Sequence, residues 1–190
     1  MPDALLTALA GIHRTAFGDG HDVLRRVIRV LREMLTDRGH EEIEVAADAL
    51  RCIDENEPVI TTTTTEVYIH DEERVGIRAA RAYAERMGDR TRMIVSVDGP
   101  TPVARREAQG LTFVLMKNVA YNCTRHHLVP KHRRTDKYAD DRWSLSRILE
   151  SDPVVQYYGW PVGTVVEIER TWGGHEPTVF HRVVSADVKS

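Results

Sequence analysis

Gly76-Ile77-Arg78-Ala79-Ala80-Arg81-Ala82-Tyr83-Ala84-Glu85-Arg86-Met87, followed at a short distance by Met93-Ile94-Val95-Ser96-Val97, sets a helix against a strand. Ile77, Ala80, Tyr83 with Ala84, and Met87 recur at the three-and-four spacing of one helical face, and Gly88 follows as a stop. The second stretch is short and apolar and runs into Asp98-Gly99-Pro100, a turn signal. Immediately upstream, Val59 to Ile69 is rich in β-branched residues, holds five consecutive threonines and ends in Tyr68-Ile69. It reads as a strand or strand pair, with a floppy linker as the competing reading of the threonines. Strand, helix and strand imply a small open α/β layer. Leu111 to Met116 and Val119 to Tyr121 read as two more short strands that close its sheet.

Toward the N-terminus, Leu24, Val27, Ile28, Leu31 and Leu35 line one face of a helix spanning Asp22 to Arg38. Arg25, Arg26, Arg29, Arg32 and Glu33 take its solvated side, Asp22 lies near its start and Gly39 near its end. Glu41 to Ile53 reads as a second, short helix through Ile43, Ala46, Ala47 and Leu50, closed by Asp54-Glu55-Asn56-Glu57-Pro58. The apolar patch Ala4 to Ala10 has no basic residue ahead of it, so a frayed or helical N-terminus is expected rather than a secretory signal.

From Arg125 onward the composition changes, and a module boundary is expected near Thr124, giving residues 1–124 and 125–190. A His-rich stretch with Pro130 leads into a polar insert, Arg133 to Arg142, and then into short elements with turn signals at Asp152-Pro153, Gly159, Gly163 and Gly173-Gly174. Thr164-Val165-Val166-Glu167-Ile168-Glu169-Arg170 and Thr178-Val179-Phe180-His181-Arg182-Val183-Val184 alternate as paired antiparallel strands do. The expected class is α+β: an N-terminal α/β module with a small mixed sheet, then a compact C-terminal mixed α/β module with an antiparallel hairpin.

The chain of 190 residues is 42% hydrophobic and 29% charged, and no run approaches the roughly 20 apolar residues that span a bilayer. The net charge is −3, and residues 125–190 hold ten Lys and Arg against nine Asp and Glu, so neither module is basic. Any contact with DNA must therefore be local. Cys52 and Cys123 are the only cysteines and have no CxxC partner, which argues against a disulfide framework or a thiolate zinc site and fits a reducing compartment.

His126, His127 and His132, with Asp136, form the sharpest generic candidate for a metal or catalytic site. Pro130 interrupts any regular helical display of these rings, so histidines hydrogen-bonded at the start of a module are the preferred reading. Walker loops, dinucleotide glycine fingerprints, nucleophile elbows and HExxH helices have no counterpart here. Asp140-Asp141 and Glu41-Glu42 are adjacent in sequence and diverge, which is wrong for shared acid–base work. No catalytic residue, metal or cofactor is assigned. Trp143, Tyr157, Tyr158, Trp160, Trp172 and Phe180 crowd the C-terminal module as core or, where exposed, as docking anchors.

His127-Leu128-Val129-Pro130-Lys131-His132, Leu145-Ser146-Arg147-Ile148, Asp152-Pro153-Val154-Val155-Gln156-Tyr157-Tyr158-Gly159 and Gly163 to Arg170 occur in an order and spacing that resemble the assembly module of the fifth common subunit of eukaryotic DNA-dependent RNA polymerases. The same region is similar to the H-type subunit of archaeal RNA polymerases. Met34 to Gly39, Val75-Gly76-Ile77 with Tyr83 and Arg86-Met87, and the strand Arg92 to Val97 leading to Gly99-Pro100-Thr101-Pro102 resemble the jaw module of the eukaryotic subunit, which its archaeal counterpart lacks. Three features depart from the family: Ser146 replaces a proline, the insert after His132 is short, and Trp172 to Pro177 replaces the usual hairpin tip. Such trimming points to a divergent lineage, a large DNA virus among the options.

The resemblance implies a non-catalytic polymerase subunit. Its C-terminal module would dock on the largest subunit, its jaw would line the path of downstream duplex DNA, and it would touch no membrane. It further implies that Gly99, Pro100, Thr101 and Pro102 approach DNA, with Arg105 and Arg106 adding phosphate attraction, a solvent-exposed turn being the plain alternative. His127, Pro130 and His132 would organise the junction, and Arg147, Asp152, Pro153, Tyr157 and Gly159 would shape the docking module, unless Arg147 and Asp152 simply pair with each other. The implied location is the nucleus for a cellular protein, or the virion or infected-cell transcription site for a viral one. A stand-alone DNA-binding or scaffold protein and a His-dependent metal hydrolase are the rivals.

Overall fold

The computed structural model describes residue 7 and residues 20–86, 88–108, 110–138, 140–171 and 176–186. Most of the N-terminal apolar patch, Met87, and the Trp172 to His175 part of the altered hairpin tip lie outside the described residues. The chain divides into two compact units, Met1–Tyr121 and Asn122–Ser190. The fold is α+β, as expected.

In the first unit, α1 (Gly20–Asp37) buries Val23, Leu24, Val27, Val30, Leu31, Met34 and Leu35, a stripe at helical spacing. The stripe is centred to one side of the face expected from sequence, so Ile28 is only half-buried while Val23 and Met34 are enclosed. The helix ends with the Gly39 amide donating to the Thr36 carbonyl and the His40 amide to the Leu35 carbonyl, the paired bonds that close a helix C-terminus.

Glu41 to Ile53 is not one helix. Glu44–Val45 form β1, and α2 is confined to Ala49–Asp54 because the Asp48 carboxylate accepts the Arg51 amide and starts the helix there. Strand β1 pairs antiparallel with β2 (Ile60–Thr61), which pairs antiparallel with β3 (Thr65–Ile69), so Val59 to Ile69 is a strand pair. The threonines between are a fixed turn. The buried Thr62 hydroxyl donates to the Thr65 carbonyl at 3.2 Å and accepts the Thr65 amide at 2.9 Å.

Strands β3, β5 (Thr91–Ser96) and β7 (Leu111–Leu115) run parallel, giving a mixed sheet ordered β1-β2-β3-β5-β7. Helices α3 (Ile77–Ala84) and α4 (Pro102–Glu107) are the crossovers and pack on each other. Tyr68, Ile94, Val75, Ala80, Tyr83, Ala104 and Ala108 form the core between helices and sheet. Tyr68 and Tyr83 meet at a tilted 5.2 Å between rings, and each large buried side chain is worth about 1.5–3 kcal/mol. Two expectations are corrected. Gly99–Pro100 are not a bare turn but a short strand, β6, parallel to β4 (Arg74–Val75). Val119 to Tyr121 is not a strand: Met116–Val119 form a helical turn, α5, that buries Met116 and Val119.

In the second unit, β10 (Val165–Arg170) and β11 (Thr178–Ser185) are the expected antiparallel hairpin, in register from Val165 opposite Val183 to Arg170 opposite Thr178. Strand β9 (Ser146–Leu149) runs parallel to β11. The start of the expected polar insert is instead strand β8 (Lys131–Thr135), antiparallel to β10, so the four strands are ordered β8-β10-β11-β9. Charged residues suit the edge that β8 forms, since Arg133 reaches across to the Glu167 carboxylate at 2.7 Å. Helix α6 (Pro153–Tyr158) packs Val155 onto Ile148, Val166, Ile168 and Val184, with Trp160 at the margin. Cys52 and Cys123 are free and buried. Among the described residues no helix is long and apolar enough to cross a membrane.

Candidate functional site

The candidate residues fall into two groups, one in each unit. In the first unit the pairing of β4 with β6 carries the chain into α4: the Thr101 amide donates to the Val75 carbonyl, and the Thr101 side-chain oxygen accepts the Ala104 amide at 3.2 Å. Thr101 is therefore the N-cap of α4 and Pro102 its first residue, where the missing N–H costs nothing. Gly99 has a φ of +77°, a conformation that favours glycine, and a Cβ there would press on the end of the Leu115 side chain at 3.0 Å. Gly99 is buried, Pro100 and Thr101 are half-buried, and Pro102, Arg105 and Arg106 are exposed.

The charge beside this loop is mixed. Arg74 lies 3.6 Å from Asp98, and Arg81 pairs with Glu107 across the two helices. Arg105 and Arg106 make no ion pair among the described residues. At the end of β3, His70 is buried with Nδ1 3.3 Å from the Tyr83 hydroxyl and 3.5 Å from Asp71. Burial holds its ring below the ordinary imidazole value, against the nearby carboxylates of Asp71 and Glu72. The same burial drives the Tyr83 hydroxyl far above its usual range.

In the second unit, Asp152, Pro153 and Gly159 bracket one short helix. The Asp152 carboxylate accepts the Val154 amide at 2.9 Å and the Val155 amide at 3.4 Å, and Pro153 follows as the first helical residue. Gly159 takes the left-handed conformation, φ +66°, as the Trp160 amide bonds back to the Val155 carbonyl. Tyr157 is buried, and its hydroxyl accepts the Asn122 side-chain amide at 2.9 Å. Arg147 and Asp152 do not pair: Asp152 is committed to the helix, and the exposed Arg147 offers its carbonyl to Arg182 at 3.2 Å.

His132 is half-buried, Nδ1 donates to the Pro130 carbonyl at 2.7 Å, and burial lowers its affinity for a second proton. His126 and His127 stack at 4.7 Å, and His126 Nδ1 accepts the Leu128 amide at 3.2 Å. Asp136 is exposed, and among the described residues no three His, Cys, Asp or Glu side chains are grouped to hold a metal. Glu167 lies among Arg133, Lys137 and His181, and the bonds from Arg133 and Lys137 hold its carboxyl below the usual range.

Sequence reasoning passes over Asn122, whose only signal is its place ahead of the His-rich stretch. It also passes over the exposure of Leu128, which stands 75% open to solvent and has no signature in the sequence. The meeting of Lys131 and Arg170 with Leu128 in one cleft is hidden for the same reason.

The hairpin, its flanking strands and the bracketed helix define a small α+β unit that brings no catalytic constellation together among the described residues. Residues 121–184 match the family described as RNA polymerase Rpb5, C-terminal domain. Over a longer span the chain is similar to the protein named DNA-directed RNA polymerases I, II, and III subunit RPABC1 of Caenorhabditis briggsae and to its namesake in Caenorhabditis elegans. Each is 25% identical over 182 residues, covering 86% of this chain and 85% of the relative. The resemblance to the fifth common polymerase subunit is thus shown over most of the chain, most specifically in the second unit.

Proposed function

We propose that the chain is a non-catalytic subunit of a multisubunit DNA-dependent RNA polymerase. The observation that carries this reading is the agreement of the Rpb5 C-terminal match with a unit in which each quoted block has a definite structural task. In this reading the second unit docks on the largest subunit and the first contributes to the jaw around downstream duplex DNA. Phosphodiester chemistry belongs to the large subunits. The location is the nucleus of a eukaryotic cell or, for a virus-encoded enzyme, the virion or the transcription site of the infected cell.

Within the first unit, the exposed Pro102 edge and the exposed Arg105 and Arg106, which make no ion pair among the described residues, would meet phosphate in this reading. Such contacts position a duplex without reading its sequence. The Thr101 oxygen is already engaged by the Ala104 amide, so it would contribute mainly by holding the loop in shape. The test is affinity purification of the tagged full-length chain from its native cells. Recovery of the two largest polymerase subunits in stoichiometric amount is expected, and their absence from the purified material would overturn the reading.

A further inference from the structure

We infer that His70 is a proton-operated latch within the first unit: a charged ring draws in the carboxylates of Asp71 and Glu72, and the pull passes through β4 to the loop at Gly99 to Thr101. The ring stands at the end of β3, where the His70 amide donates to the Val95 carbonyl of β5 at 2.8 Å, so its own backbone is fixed to the sheet. Its side chain is only 6% exposed. With Asn56, Asp71, Glu72, Arg78 and Tyr83 it lines a cleft of about 700 Å³.

Both ring nitrogens face groups that respond to a second proton. Nδ1 lies 3.3 Å from the Tyr83 hydroxyl and 3.5 Å from the Asp71 carboxylate, and Nε2 lies 3.9 Å from the Glu72 carboxylate. Nε2 is buried and has no hydrogen-bond partner among the described residues, a state that calls for an explanation in a polar atom. Whichever nitrogen is bare in the neutral ring, the added proton arrives opposite a carboxylate. Asp71 and Glu72 are exposed and have no Lys or Arg partner among the described residues, so no ion pair holds them away. The neighbouring cations are otherwise placed. Arg86 bonds the Tyr68 hydroxyl and the Asn56 carbonyl, Arg74 lies 3.6 Å from Asp98, and Arg78 is the one cation among the described residues lining the cleft.

Burial works against a charge on this ring, and Asp71, Glu72 and the Arg74 carbonyl work for it, so a charged ring is met by closing those carboxylates. A charge-assisted bond runs at about 2.7–2.9 Å, which leaves each carboxylate up to about 1 Å to travel. Consecutive residues serve the two nitrogens, and the short Asp71 side chain leaves part of that travel to the backbone. The segment that moves is tied to the loop. The Glu73 carbonyl accepts the Asp98 amide at 2.7 Å, the Val75 carbonyl accepts the Thr101 amide at 3.0 Å, and β4 runs parallel to β6 between them. Residues 71–74 are exposed while Val75 and Gly99 are buried, so the segment is free at one end and anchored to the loop at the other.

The experiment follows the isotope-labelled full-length chain by NMR from neutral pH down to about 5, above the ordinary carboxylate range. The His70 ring is expected to titrate with a midpoint below 6.5, and the amides of Asp98, Gly99 and Thr101 to shift with the same midpoint. His70→Gln is expected to abolish the shift of those amides. Asp71→Asn combined with Glu72→Gln, which alters only exposed side chains, is expected to lower the ring's midpoint further and to remove most of the amide shift. Amides that stay still while the ring titrates, or that move equally in His70→Gln, overturn the latch. So does a midpoint unchanged in the double variant, or a parent ring that does not titrate over this range.

Discussion

Helices α4 and α6, one in each unit, begin with the same device: a capping side chain at Thr101 or Asp152, then proline as the first helical residue. Beyond that start they diverge. Helix α6 has a carboxylate that takes two amides, a left-handed glycine that closes it after six residues, and Tyr157 driven into the core. Helix α4 has a hydroxyl that takes one amide, ends without a glycine cap and presents Arg105 and Arg106 to solvent. Similar local chemistry thus makes a firmly closed helix anchored by a large aromatic side chain in one unit and, in the other, a helix anchored only through the small Ala104 with its arginines facing solvent. A motif that starts a helix does not by itself say whether its residues meet a partner.

The contrast predicts a ranked set of stability losses, each measurable by denaturant titration of the full chain. Gly159→Val forces a β-branched residue into the left-handed region and should cost the most, about 1–3 kcal/mol. Asp152→Ala frees two amides and should cost about 1–2 kcal/mol, whereas Asp152→Asn keeps most of the cap. Thr101→Ala should cost about 0.5–1 kcal/mol, with Thr101→Ser close to neutral. If Thr101→Ala proves costlier than Asp152→Ala, the ranking of the two caps is wrong.

Arg105→Ala with Arg106→Ala should change stability by less than about 0.5 kcal/mol, because both side chains are exposed and make no ion pair among the described residues. If the proposed jaw contact holds, the pair should instead reduce the salt dependence of downstream DNA binding by the polymerase, by about one unit of slope for each phosphate no longer neutralised. An unaltered slope would return the loop to a plain surface turn.

The smallest expected effect is on pH. Burial holds both His70 and His132 below the ordinary imidazole value of 6.5, so each folded unit favours the neutral ring. Their stabilising contribution is whole above pH 6.5 and drains as pH falls through the lowered folded values. Glu167, held low by Arg133 and Lys137, adds a second loss confined to the second unit, beginning below pH 4.5. Thermal melts of His70→Gln and His132→Gln variants at a series of pH values from neutral into the mildly acidic range should show a flatter profile than the parent chain.

Much of this was readable in the residues. The alternation of β10 and β11 and the apolar face of α3 depend on neighbours within a few positions, which sequence displays directly, whereas Asp152-Pro153 and Gly159 read only as turn signals and the six-residue helix they bracket is not legible there. The misread segments depend on distant partners. Glu44–Val45 leave the helical pattern because β2 is there to pair with them, and Arg133 sits in a strand because Glu167 lies opposite. Tertiary pairing outweighed local preference in both. The cleft around Leu128 was hidden for a related reason: exposure of one leucine among apolar neighbours is a property of the folded surface alone.

The threonine run has a consequence for how this gene can change. A stretch of one residue type invites gains and losses of single units wherever its codons repeat, and a flexible connector would absorb them. Here Thr62 locks onto Thr65, and the next residues alternate between a half-buried Glu66 and a fully enclosed Val67. One threonine more or fewer would have to be taken up within that turn, or else turn the glutamate inward and the valine outward along β3. The repeat therefore has little freedom to drift in length, despite its low-complexity look.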